Sequence, residues 1–381
     1  PGRAVAASNE QTTEDRGRNA ILTLSETQPM FSTPHPAKTD LRNVPFPDDF
    51  REGAHNAATT CLRITPDERV TLITDESTAP VAASIAAELE RIGCAWHSFV
   101  LEELAPRPLN GMPAEVLADM EQSQVSIFAV QVQPNELRSR MQMTDVVNRR
   151  RMRHAHMVNI TPEIMRGGMR ADFNAVDRLS QAVLDRVRTA KYVRATTPAG
   201  TNIFAELDPE YRWFKTSGII SPEKWGNLPG GEVFTAPGEI NGVFVVDGVV
   251  GDFLCARYGI LRDSPVTIHI SRNRIASVEC ANKQLEQDFW EYTHTDANSD
   301  RVGEFAIGTN IGVHEVIGNI LQDEKFPGIH IAFGDPYGAH TGAPWKSTTH
   351  IDVVGLSFNI WLGGPDGEQQ IMQDGEFLIK G

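Results

Sequence analysis

The chain has 381 residues, 40 % of them apolar and 22 % charged, with a formal charge of -15 at pH 7 and a pI near 5.2. That length and composition suit a globular protein of about two domains, and the acidic balance excludes the basic field that general nucleic-acid or anionic-membrane partners require. No apolar run approaches the roughly 18 residues of a membrane-spanning helix and no secretory apolar segment is found, while four scattered cysteines (Cys61, Cys94, Cys255, Cys280) without a CxxC pair read as reduced apolar residues of a cytoplasmic protein.

Residues 1–45 form a polar arm, with strand character only at residues 20–24. From 46 to 190 strands and helices alternate. Residues 69–74 (RVTLIT) read as a strand, and Asp75-Glu-Ser-Thr78 is an N-cap cluster. A helix follows with Val81, Ile85, Leu89 and Ile92 on one stripe, closed by Gly93. Strands are expected at 95–100, 125–130 and 156–160, with a short helix near 113–120. Strand, helix, strand at this spacing predicts an α/β domain with a parallel sheet. It contains no GxGxxG, so no dinucleotide site is expected. The arginine-rich run at 148–154 has the charge to grip a phosphate or carboxylate, but such runs are more often solvated helix faces. Residues 172–189 form a connecting helix with Val176, Leu179, Val183 and Val187 on one face. From 191 to 381 the chain is rich in strands and turns, with helices near 281–291 and 314–321. This predicts an α+β domain with a large, mostly antiparallel sheet.

The chemistry concentrates in residues 327–355, PGIHIAFGDPYGAHTGAPWKSTTHIDVVG. The segment holds His330, His340 and His350 among only 11 histidines in the chain, with Asp335, Tyr337 and Asp352. Its two ends read as strands joined by a Gly/Pro loop. On a strand, His350 and Asp352 face one side and Ile351 and Val353 the other. An imidazole and a carboxylate converging from a rigid strand make half of a metal site, or a plain hydrogen-bonded pair. Upstream, Glu232 follows the Gly-Gly turn of LPGGEVFTAP, and Glu304 sits inside the apolar run VGEFAIGTN. A buried glutamate needs a cation, either a metal or an arginine. Together Glu232, Glu304, His330, His350 and Asp352 suit one or two divalent ions (Zn, Mn, Co or Fe), two being favoured because Glu304 can bridge a pair that shares a water. Tyr337 is placed to hydrogen-bond a developing oxyanion, or merely to anchor its loop. Competing signatures fail. His314-Glu315 lacks the second histidine of HExxH, no GxSxG or P-loop occurs, and Asp296, Asn298 and Asp300 are followed by Arg301 where an EF-hand needs glycine.

At these residues the chain resembles the thermophilic-type metallo-aminopeptidases, the M29 group that includes aminopeptidases T and S. The resemblance spans roughly residues 60–375, is strongest in the second domain, and includes the junction segments ITPEIMRGGMRADFNAVDRL and ATTPAGTNI. It implies a two-metal site at Glu232, Glu304, His330, His350 and Asp352 and a catalytic role for Tyr337. It also implies hydrolysis of an amide bond in a small peptide or amino-acid-derived substrate, and a homodimer whose partner encloses the active site. The chain departs from the pattern in its N-terminal arm, in a loosely matching first domain, and in a short loop carrying His340, Trp345 and Lys346. A sister group on the same fold comprises iron-dependent 2,5-dihydroxypyridine dioxygenases, which hold one ferrous ion with two histidines and an aspartate. His350 and Asp352 suit that chemistry too, whereas Glu304, where that group has a histidine, favours the hydrolase branch. A mononuclear Fe(II) ring-cleaving dioxygenase is therefore the second reading.

Overall fold

The computed structural model describes residues 38–365 and 367–381, so the strand expected at residues 20–24 lies outside it. Strands β1 (Arg69–Thr74), β2 (Ala95–Val100), β3 (Val125–Val130), β4 (Arg153–Val158) and the two-residue β8 (Gly226–Asn227) form one sheet in the order β2-β1-β3-β4-β8, parallel throughout. Its inner strands are buried on both faces, as helix-covered parallel sheets require. Val70, Leu72, Ile127, Ala129, Ala155 and Met157 pack with the helix Ala79–Ile92 on one side. Ile73, Phe128 and Val130 pack with Met143 and Val147 of the helix Leu137–Arg150 on the other. Gly93 ends the first of these helices in the left-handed region at φ 81°.

The remaining strands form two antiparallel sheets. Eight of them run β12 (Arg274–Cys280), β11 (Val266–Ser271), β10 (Glu239–Val246), β6 (Asn202–Glu206), β5 (Tyr192–Thr196), β16 (Asn359–Gly364), β17 (Gly367–Gln373), β18 (Glu376–Phe377). Five run β15 (His350–Val354), β14 (Gly328–Gly334), β13 (Val302–Gly308), β9 (Glu232–Thr235), β7 (Phe214–Thr216). One core joins them. Val233, Phe305, Ile307, Ile329, Ile331, Phe333, Ile351 and Val353 of the five-stranded sheet share it with Val193, Ile203, Ile240, Phe244 and Ile268 of the eight-stranded one. Because side chains alternate along a strand, the neighbours of these apolar residues, Glu232, Glu304, His330, His350 and Asp352, are turned to the opposite face of the five-stranded sheet. The expected class, a parallel α/β region followed by an α+β region with a large antiparallel sheet, describes this architecture.

Two local expectations change. The fourth parallel strand begins at Arg153 rather than at residue 156. The helix expected at 314–321 is a series of turns, and only the single turn Ile320–Asp323 is helical. The Asp323 carboxylate accepts the N–H groups of Ile317, Gly318 and Asn319 at 2.8–2.9 Å, which gives those amides partners outside a helix. The arginine run 148–154 spreads over the surface, where Arg149 pairs with Glu121, Arg151 with Glu223 and Arg153 with Glu68. All four cysteines are free and buried. No described helix is long and apolar enough to cross a membrane.

Candidate metal centre

The register of the five-stranded sheet assembles the acidic face. Glu304 lies opposite Ala332, which lies opposite Asp352; Ala306 lies opposite His330, and His350 opposite Gly334. Alanines and glycine between the polar side chains leave space above the strands. A bulge at Gly303 shifts the register so that Glu304 joins this row. Glu232 enters from β9 behind Gly230-Gly231. Gly231 has φ 133°, and a Cβ there would stand 2.6 Å from Asn310, so only glycine fits this approach.

The distances describe two triads sharing one carboxylate. His330 Nε2 lies 3.4 Å from Glu304 Oε1 and 3.5 Å from Glu232 Oε2. His350 Nε2 lies 3.6 Å from Glu304 Oε2 and 3.5 Å from Asp352 Oδ1. Two ligands held about 2.0–2.2 Å from a tetrahedral ion stand about 3.3–3.6 Å apart, so these spacings fit a shared cation. His330 is 2 % exposed and its Nε2 has no hydrogen-bond partner. An orphaned buried nitrogen facing two carboxylates is the group a metal satisfies. His350 Nδ1 stands 2.8 Å from the Asp335 carbonyl. A carbonyl only accepts, so Nδ1 carries the proton and Nε2 offers its lone pair to the site, an orientation typical of metal-binding histidines. Glu324, His330 and Asp352 form a third grouping close enough to share an ion.

The electrostatics carry the same signature. Burial would lower the His350 pKa, but the charge and hydrogen bond of Asp352, with Glu304, push it up to about 10. His330 is raised by Glu304, Glu232 and Asp352 against its own burial. Acid charge in this pocket therefore draws cations to it. One is built in. Lys325, 1 % exposed, donates to Glu232 Oε1 at 2.7 Å and to Glu324 Oε1 at 2.5 Å. The Thr216 hydroxyl also donates to Glu232 Oε1 at 2.7 Å. Oε1 is thus occupied and Oε2 is left facing His330. Burial, with the charges of Asp352 and Glu232, raises the Glu324 carboxyl to about 8 despite Lys325.

Tyr337 precedes the helical turn Gly338–Thr341 with φ 48°, and its ring centroid lies 4.3 Å from that of His350. The residue is 44 % exposed. Desolvation, with the charges of Glu304, Asp352, Glu324 and Glu232, raises its phenol well above the ordinary value, so it keeps its proton and can donate it. Of the three connecting-loop residues, Trp345 is an anchor: its Nε1 donates to Gly334 O at 3.1 Å and Arg301 lies 3.5 Å over its ring. His340 meets Phe214 edge-on at 5.2 Å, and Lys346 is exposed.

The structure thus gathers Glu232, Glu304, His330, His350, Asp352 and Tyr337 in one place. Sequence reasoning missed Glu324 and Lys325. Their only signal was a charged pair beside the apolar strand β14, after a stretch whose pattern suggested a helix.

A family model described as thermophilic metalloprotease (M29) matches residues 173–377, more than half of the chain and all of the strands that carry the centre. Among solved structures, the fold is similar to wild-type AmpT from Thermus thermophilus, at 16 % identity and TM-score 0.62 over 87 % of this chain and 99 % of that one. It is also similar to 2,5-dihydroxypyridine dioxygenase from Pseudomonas putida KT2440, at 14 % identity and TM-score 0.62 over 87 % of this chain and 96 % of that one. No curated protein matches the chain. At such identities the two structures speak for the fold alone, and the family match carries the assignment: the chain belongs to the thermophilic metalloprotease family M29, and is a metallohydrolase that depends on a divalent metal.

Proposed function

We propose that the protein hydrolyses an amide bond at the N-terminus of a small peptide or amino-acid-derived substrate, with two divalent ions (Zn, Mn, Co or Fe) at the acidic face. The observation that carries the two-ion reading is the division of Glu304 between two imidazoles, Oε1 toward His330 and Oε2 toward His350. Glu232 and His330 would hold one ion and His350 and Asp352 the other, with Glu304 within reach of both. When bound, the ions supply Lewis acidity to the scissile carbonyl and lower the pKa of water. Tyr337 keeps its phenolic proton and donates a hydrogen bond where the carbonyl oxygen gains charge. His350, oriented by the Asp335 carbonyl, holds its ring in register with Tyr337. Lys325 holds Glu232 and Glu324 in place and offsets part of their charge. We further propose a homodimer, which light scattering of the purified protein tests.

Amine release from a panel of amino-acid amides and short peptides, followed with and without oxygen, tests the hydrolytic reading. Turnover independent of oxygen and lost on chelation is expected. A second reading, the mononuclear Fe(II) ring-cleaving dioxygenase, draws on the two imidazoles and one aspartate of His330, His350 and Asp352 on adjacent strands. Oxygen uptake with a hydroxylated pyridine and one ferrous ion would establish that reading and remove the first.

A further inference from the structure

Tyr337 is exposed, yet its backbone is strained. Its φ of 48° lies in the left-handed region, which is unfavourable for a residue with a Cβ. Its ring meets those of His350 and Phe234 without being covered by them. Residues strained in this way persist where their neighbours over-determine them, and they collect at functional sites.

Half-buried Asp335 supplies the constraint. It follows the last residue of β14, where the Gly334 N–H donates to Arg301 O at 2.7 Å and Gly334 O accepts from Trp345 Nε1 at 3.1 Å, so its footing is fixed. Each of its polar groups is then used. Oδ1 accepts the Tyr337 N–H at 2.9 Å, and Oδ2 accepts the Ser347 N–H at 3.3 Å. Its own N–H donates to Thr349 O at 2.7 Å, and its carbonyl accepts His350 Nδ1–H at 2.8 Å. One residue thus sets both Tyr337 and His350, whose ring centroids stand 4.3 Å apart. Asp296 clamps the other side of the same segment. Its carboxylate accepts the Thr348 N–H at 2.6 Å, the Thr348 hydroxyl at 2.7 Å and the Ser347 hydroxyl at 2.9 Å. Among the described residues Asp335 belongs to none of the groupings able to share an ion.

We infer that Asp335 is a positioning residue of the centre: its carboxylate holds Tyr337 in the left-handed conformation while its carbonyl holds the His350 ring, so that the phenol donor and a metal ligand keep one separation. The role of the phenol rests on the amide-hydrolase reading, whereas the clip itself rests on the hydrogen bonds alone. The loop needs an acceptor in the right place rather than a charge. Asparagine at this position keeps an Oδ1 acceptor for the amide two residues on. Glutamate keeps the charge and moves the acceptor one carbon farther out.

The test joins crystal structures to the kinetics of the metal-loaded full chain on L-leucinamide. In Asp335→Ala, Tyr337 should leave its left-handed conformation and its ring should part from His350. The kcat should fall roughly tenfold or more, short of the 10²–10³-fold for losing an oxyanion donor outright, with KM and metal content unchanged. Asp335→Glu should behave as Asp335→Ala does, and stands in for it if the alanine variant does not fold, whereas Asp335→Asn should recover most of the loss. In a Tyr337→Phe background, Asp335→Ala should cost nothing further in kcat, because both changes remove the same hydrogen bond. Wild-type kcat in Asp335→Ala and Asp335→Glu, or an equal loss in the Tyr337→Phe background, would overturn the inference and leave amide hydrolysis standing. If the wild-type protein does not cleave L-leucinamide, the crystal structures decide. Rings parted in Asp335→Ala and kept together in Asp335→Asn sustain the positioning role without the hydrolytic one, and rings kept together in both overturn it.

Discussion

Two buried ionic clusters divide the molecule's polar interior, and they are finished to different degrees. In the parallel region Arg107 is held by Asp75, Glu136 and Glu102 at 2.9, 2.5 and 3.1 Å. The surplus acid charge there is met by donors: Asp75 accepts from Ser77 Oγ and the amides of Thr78 and Gln131, and Glu136 from the amides of Leu109 and Gln133. At the five-stranded sheet, Lys325 pairs with Glu232 and Glu324 but not with Glu304 or Asp352, and the His330 Nε2 among these carboxylates bonds to nothing. Among the described residues Lys325 leaves Glu304 and Asp352 without a lysine or arginine, facing only the two imidazoles, and that is the place a divalent ion would fill. Buried charge is tolerated where its partners are complete. The first cluster is complete as folded, and the second is complete only with metal.

The sharpest break in this comparison comes from removing a shared ligand. Glu304→Gln takes away the one carboxylate that faces both imidazoles. Metal content should fall from about two ions per chain to one or fewer, and amide hydrolysis should drop below detection in the same preparation. Asp352→Ala should lose an ion as well. Full activity at unchanged metal content in Asp352→Ala would remove the proposed centre altogether. Next in size is Tyr337→Phe. Loss of one oxyanion donor lowers kcat by about 10²–10³-fold, with metal content and KM unchanged. A fall in metal content instead would make Tyr337 a structural support of His350.

The two cations then sharpen the contrast in stability. Arg107→Met and Lys325→Met each leave buried carboxylates unpaired, at about 3–5 kcal/mol in denaturant unfolding. For Arg107→Met the loss should be the same with and without metal. For Lys325→Met it should shrink when divalent ions are added, because they take over part of the lost charge. Equal metal response in both variants would contradict the distinction. The smallest effect is on acid stability. Burial alone would raise Glu136, but the Arg107 hydrogen bond and charge and the Gln133 and Leu109 amides bring it down to about 2, although Asp75 and Glu102 share the same guanidinium. Its contribution is therefore full above the ordinary glutamate value and lost as the pH falls toward 2. Burial likewise drives His154 down to about 3, in contact with Ser126, His156 and Trp225. The unfolded chain takes up that proton near pH 6.5 and the folded chain refuses it, so stability also declines between 6.5 and 3. Unfolding free energies flat from pH 7 to 3 would show that neither group is held in this way.

How much of this was legible in the sequence follows from the period of each segment. Alternation in GIHIAFG and HIDVV set His330 and His350 with Asp352 on determined faces, and Glu304 stood out as an acid within an apolar strand. The first helix and its parallel neighbours were equally plain, from the stripe of Val81, Ile85 and Leu89. The helix Leu137–Arg150 escaped because few of its residues are apolar; Met143, Val146 and Val147 alone anchor it. Glu324 and Lys325 follow a single helical turn, where no period exists to be read.

The central claim is that the acidic face is completed by two ions across Glu304, and the metal-to-protein ratio tests it most directly. Protein purified without chelator, loaded with a divalent metal and freed of excess, is measured by elemental mass spectrometry beside Glu304→Gln. About two ions per wild-type chain and one or fewer in the variant are expected. One ion in both, or none, would contradict it.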